Sequence, residues 1–243
     1  MSGGRRPLVV FTLAVAACGE TDADQLGGPD LQSGDAAPAR VVCGEPEDTA
    51  RPGDPSIEGC EEFRGEIKVE YLPLETSAFP EVRALTRIGQ LRILDSVGVT
   101  GLGGFERLER VDRNLMLVRC ENLMTLEGLR SLRYVGAEFI LQDSRRLETL
   151  RGLDALEEVG GTLNINYLDV LVSLEGLGQL RTAGALAIAW NPRLTDLAGL
   201  ASLRVIEGDL VIRDNPRLPQ SAIDAFLARV TIRGEMRISG NAP

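Results

Sequence analysis

Histidine is absent from all 243 residues. Its absence excludes Ser-His-Asp and Cys-His nucleophilic machinery and any His-ligated metal centre. Lysine is nearly absent too, since Lys68 is the single Lys among 26 basic residues. Aromatic residues make up 4% of the chain, with one Trp, so a core must be built from Leu, Val and Ile. No phosphate-binding Gly loop occurs, and Asp22-Ala23-Asp24-Gln25-Leu26 lacks the ligand series of a calcium loop. Negative charge is plentiful but uneven. Residues 19–62 carry twelve Asp/Glu against two Arg, while residues 63–243 are close to neutral. Nothing forms the basic footprint that nucleic-acid binding needs. No cofactor, metal or nucleic acid is expected.

The pattern that remains is a repeat. From Leu115 the sequence runs Leu-Met-Leu-Val-Arg-Cys-Glu-Asn-Leu-Met-Thr-Leu-Glu-Gly-Leu-Arg-Ser-Leu-Arg-Tyr-Val-Gly-Ala. Counting from Leu115, apolar residues fall at offsets 0, 2, 8, 11, 14, 17 and 20, with Gly at 13. Offset 0 recurs as Leu91, Leu115, Phe139, Leu163, Leu186 and Leu210, a 24-residue period with one 23-residue step. Gly104, Gly128, Gly152, Gly176 and Gly199 form the glycine column. A fixed period of this size signals an elongated repeat fold, in which each unit buries its apolar face only against its neighbours. Offsets 0 and 2 read as one face of a short strand. The Leu-x-x-Leu spacing that follows suits 3₁₀-like turns facing the same interior. The glycine column either leaves no room for a Cβ or needs a backbone angle that only Gly adopts freely. Pro219 to Arg229 reads as a helix with Ile223, Phe226 and Leu227 on one face, and Met236 and Ile238 as a closing strand.

The motif Leu-x-Ile-x-x-Asn-x-x-Leu-x-x-Leu-x-Gly-Leu-x-x-Leu-x-x-Ile-x-Gly resembles the repeat of receptor L-domains over about residues 65–241. That family includes the ligand-binding lobes of insulin and epidermal growth factor receptors, fungal wall proteins and bacterial surface lipoproteins. The resemblance implies a mainly β fold: a right-handed β-helix, or leucine-rich-repeat-like solenoid, of 24-residue coils with short helical turns and a C-terminal helical cap. It also implies binding without catalysis. In the family an Asn at offset 5 holds the turn after the strand. Here that column reads Ser96, Cys120, Ser144, Leu168, Asn191 and Asn215, and Leu168 has no side-chain oxygen to offer.

The amino terminus reads as an address. Arg5 and Arg6 precede an apolar run from Leu8 to Ala17, too short to span a bilayer and of the form of a secretory signal. It ends Val15-Ala16-Ala17-Cys18, which resembles the lipobox of bacterial lipoproteins. The resemblance implies a signal peptide over 1–17, lipid on Cys18 and residence in the cell envelope, with Gly19 pointing to the outer membrane or cell surface. Residues 18–62 then comprise the lipidated Cys, an acidic linker and a segment bracketed by Cys43 and Cys60. In an exported chain those two cysteines are expected to pair, and closing that loop contributes ~3 kcal/mol in the chain-entropy model. Residues 63–243 form the repeat domain.

The expected function is non-catalytic recognition of a protein or glycan by a membrane-anchored chain. Outward strand positions Leu94, Met116, Val118 and Ile140, with Tyr167 and Trp190 at offset 4, are the candidate ligand face. Two alternatives stand beside it. One is a structural spacer with no specific ligand. The other is a carboxylate-based polysaccharide enzyme using acids among Asp95, Asp143, Asp169 and Asp214. Cys120 reads as a small buried side chain.

Overall fold

The computed structural model describes residues 41–51, 53–72 and 75–243. The signal over 1–17, lipidation at Cys18 and the acidic linker lie outside the described residues. The chain is mainly β, with one large parallel sheet of fourteen strands and a separate two-stranded sheet of Thr76–Ala78 and Val99–Gly103.

The register of the large sheet is the sequence period. Ile67 pairs with Leu91, Leu91 with Leu115, Leu115 with Phe139, and Phe139 with Leu163. Leu163 then pairs with Leu186, Leu186 with Leu210 and Leu210 with Met236. Two residues on, Ile93, Leu117, Leu141, Ile165, Ile188 and Ile212 pair in the same order. Strand side chains alternate in direction, so both columns face one interior, and none of these twelve residues from Leu91 to Ile212 is more than 1% exposed. Each fully buried Leu contributes about 1.5–3 kcal/mol relative to an exposed one, which makes these columns the main source of cohesion.

The three-residue spacing has a hydrogen-bond cause. The Leu123 amide donates to the Cys120 carbonyl, Leu129 to Leu126, and Leu132 to Leu129. The next repeats copy the pattern: Leu153 to Leu150 and Leu156 to Leu153, then Leu177 to Leu174 and Leu180 to Leu177. Bonds of this i to i−3 type place side chains three apart on the same side. Leu126, Leu150 and Leu174 are accordingly 0% exposed.

The glycine column is explained by sterics. A Cβ on Gly128 would lie 1.8 Å from the Leu102 carbonyl oxygen, and one on Gly176 would lie 2.0 Å from that of Leu150. Gly104, Gly152 and Gly176 also have φ of +104°, +102° and +116°, whereas Gly128 and Gly199 sit in 3₁₀ turns, Glu127–Leu129 and Ala198–Leu200. Close approach is therefore common to the column, and the left-handed angle belongs to three of its members.

At the amino-terminal end Cys43 and Cys60 are disulfide-bonded, with Cα atoms 5.9 Å apart. The bracketed segment does more than close a loop. Val42–Cys43 pairs with Glu62 and Phe63, and Thr49–Ala50 with Glu66 and Ile67, so it covers the first edge of the sheet. At the other end the helix Gln220–Leu227 buries Ile223 and Phe226, and the strand Met236–Ser239 follows.

Candidate functional site

Outward strand residues form two rows. The first runs Arg92, Met116, Ile140, Asn164, Ala187 and Val211. The second runs Glu70, Leu94, Val118, Gln142, Asn166, Ala189 and Arg213. Leu94, Met116, Val118 and Ile140 are thus neighbours on three adjacent strands. Met116, Ile140 and Leu94 are half-buried, while Val118 is 8% exposed and presents little surface.

A third row borders these two. Tyr71, Asp95, Arg119, Asp143, Tyr167, Trp190 and Asp214 all have φ between +52° and +56°. Asp and Asn tolerate this left-handed corner, because their short side chains bond locally, but a bulky residue there costs roughly 1–2 kcal/mol. Tyr167 and Trp190 occupy it nonetheless. Their rings stack with centroids 4.6 Å apart and planes 6° from parallel. The Arg213 guanidinium lies 4.0 Å from the Trp190 centroid on the neighbouring repeat. Tyr167 remains 39% exposed.

Two carboxylates of this row, Asp95 and Asp143, and the nearby Asp169 lie against partners. Arg119 donates to both Asp95 oxygens, through Nε and, at 2.7 Å, Nη2. That pairing holds the Asp95 carboxyl below its ordinary range. Gln142 donates to Asp143 at 3.1 Å, and Asp169 lies 3.9 Å from Arg145. Asp95 is therefore poorly suited to proton donation.

Beneath the corner runs the offset-5 column. Asn191 Oδ1 accepts the Leu168 amide at 3.1 Å, and Asn215 Oδ1 accepts that of Asn191 at 3.0 Å. Asn241 Oδ1 accepts the Asn215 amide at 3.2 Å. Their Nδ2 groups donate to the carbonyls of Ile165, Ile188 and Ile212. Each Asn therefore serves the repeat before its own, so Leu168 needs no side-chain oxygen to satisfy its own amide. Ser96 acts similarly, accepting from the Leu72 amide at 3.3 Å and donating to the Leu94 carbonyl. Ser144, expected to share this role, does not: its Oγ is buried without a hydrogen-bond partner. The Cys120 thiol is 0% exposed and points at the Ile93 carbonyl, and burial pushes its pKa up to about 12.

Sequence reasoning missed the left-handed corner, Arg119 and Arg213. The corner had one signal, the recurrence of Asp at offset 4 in three repeats. Arg213 had none, because no arginine column accompanies it. Among the described residues no cluster of three or more His, Cys, Asp or Glu could hold a metal ion, and no helix is long and apolar enough to cross a membrane. Compared with protein-family models, curated proteins and solved structures, the chain matches none.

Proposed function

We propose that this chain is a lipid-anchored, non-catalytic recognition protein of the bacterial cell envelope. In this reading its 24-residue repeats wind as a right-handed β-solenoid similar to receptor L-domains. The signal at 1–17 directs export, Cys18 carries the lipid, and the acidic segment tethers the repeats to the outer membrane or cell surface. The parallel 24-residue register and the covered amino-terminal edge support the solenoid, and the Cys43–Cys60 disulfide supports an exported chain.

The observation that carries recognition is the Tyr167–Trp190 pair. Two large aromatics hold a backbone conformation that disfavours them, at the border of the same sheet whose earlier strands carry the half-buried Leu94, Met116 and Ile140. Strain kept in this way is a mark of a working surface. The ligand is a protein or glycan that lies along the strand rows. The test is to change Tyr167→Ser and Trp190→Ser together and measure saturable binding to cells and to envelope protein and glycan fractions. Binding falls at least about tenfold while melting shows a folded domain. Unchanged binding in a folded variant removes this face.

A spacer without a ligand is the second reading, favoured by one observation: Tyr167 and Arg213 both pack on the Trp190 ring. In that case the double variant loses stability and no binding. The address is tested separately, by palmitate incorporation with and without Cys18→Ala.

A further inference from the structure

The two ends of the sheet are finished differently. The amino-terminal edge is covered by Val42–Cys43 and Thr49–Ala50, pinned through Cys43–Cys60. Among the described residues, nothing pairs with the carboxyl-terminal edge. Met236 is 56% exposed, although it continues a column whose members from Leu91 to Leu210 are at most 1% exposed. Ile232 and Ile238 are half-buried, whereas Ile206 and Ile212, their partners in the preceding repeat, are 0% exposed. Among the described residues the strand Met236–Ser239 pairs on one side only. On that side the Glu235 carbonyl accepts the Leu210 amide and the Ser239 carbonyl accepts the Asp214 amide. Peptide groups of a strand alternate in direction, so those of Met236 and Ile238 point away from the sheet. An apolar, unpaired edge of this kind is a template for another strand.

We propose that this edge is a homodimer interface, in which a second copy of the chain pairs Met236–Ser239 with its own equivalent strand about a two-fold axis. The amino-terminal edge is covered by two strands of two residues each, too short to pair with the whole of Met236–Ser239, which favours a closed, tail-to-tail arrangement over head-to-tail stacking. Two-fold pairing of the strand with itself is antiparallel. Only registers that keep Met236 and Ile238 on the interior side preserve the apolar columns, because a one-residue slip exchanges the faces. Placing Arg237 opposite its own copy sets like charges together. Placing Met236 opposite its own copy puts Glu235 across from Arg237 of the second chain, twice by symmetry. Within one chain these two side chains already lie on one face, with Arg237 Nη2 and Glu235 Oε2 2.6 Å apart. This register joins the two interiors and keeps every cross-strand charge complementary.

The proposal is independent of the ligand face and of the lipid. It is tested on the full exported chain carrying Cys18→Ser, by sedimentation across a concentration series. The unaltered edge gives a reversible dimer. Glu235→Arg weakens association by roughly tenfold, as two attractive pairs become repulsive, and adding Arg237→Glu restores it. Met236→Pro removes an N–H that its own sheet does not use, so it abolishes the dimer while melting reports an intact fold. A chain that is monomeric throughout, or a dimer indifferent to both Glu235→Arg and Met236→Pro, overturns the proposal.

Discussion

The same substitution, Gly→Ala, should have opposite consequences at two sites fifty residues apart. At Gly128 the backbone angle is ordinary, so the entire effect is steric. The added Cβ would sit 1.8 Å from the Leu102 oxygen and 2.3 Å from its carbonyl carbon. An unstrained C···O contact is roughly 3.3 Å, so adjacent repeats, about 4.8 Å apart, must separate locally by more than 1 Å. Overpacking of ordinary cores costs 1–3 kcal/mol, and here backbone meets backbone with no side chain to yield. Gly128→Ala should therefore cost about 3 kcal/mol. Gly152→Ala should cost about 1–2 kcal/mol more, because its φ of +102° adds conformational strain to the same collision. Gly178 is exposed, and a Cβ there meets nothing within 4 Å, so Gly178→Ala should be neutral or stabilise by a few tenths of a kcal/mol. Urea unfolding followed by Trp190 fluorescence and far-UV circular dichroism reads the difference. The Gly128→Ala midpoint should fall by about 1 M while that of Gly178→Ala stays put. Equal midpoints for these two variants would refute the account of the glycine column.

Asn215→Ala should destabilise by about 2–4 kcal/mol, since it strands the Asn191 amide and the Ile188 carbonyl, whereas Ser144→Ala should be neutral within about 0.5 kcal/mol because its Oγ has no partner. Thermal melts of the two variants side by side decide this. Cys120, buried and with its pKa pushed up to about 12, should resist a thiol reagent at pH 8 in the folded protein and react fully in urea, as absorbance at the thiolate product reports. Burial pushes the Asp112 carboxyl up, but Arg87 and Arg110, both donating to it, hold it below the ordinary range. A depressed carboxylate contributes stability above its unfolded pKa and loses it as pH falls through the folded one. Asp112→Asn should therefore destabilise by about 1 kcal/mol at neutral pH, and the difference should shrink as pH falls through the acid range, read from melting against pH.

The period was open to reading because every layer of the sheet repeats one environment. A buried column accepts only Leu, Ile, Val or Phe, and the i to i−3 turn forces the three-residue spacing. The neighbourhood of Leu94, Met116 and Ile140 followed from the same register. What escaped reading lies where one residue type does not identify one environment. The left-handed corner holds Asp in three repeats but Tyr, Arg and Trp in others, so its column carries no common chemistry. At offset 5 the side chains bond within their own turn, as Asn215 does to the Arg213 carbonyl, and also reach backward across the sheet, which leaves Leu168 supported from Asn191. Ser144 shares the residue type of Ser96 and not its bonds. Between Cys43 and Cys60 the Pro, Gly and acidic residues masked two strands of two residues each, too short to show periodicity.

Stacking of residues 24 apart is the claim on which the rest depends, and engineered disulfides test it most directly. Ile140 and Asn164 are register partners on adjacent parallel strands, within disulfide reach. Ile140→Cys with Asn164→Cys should oxidise to an intramolecular bond seen by peptide mass mapping, while Ile140→Cys with Leu163→Cys should not, because the second thiol faces the interior. A bond in the shifted pair, or none in the aligned pair, would contradict the account.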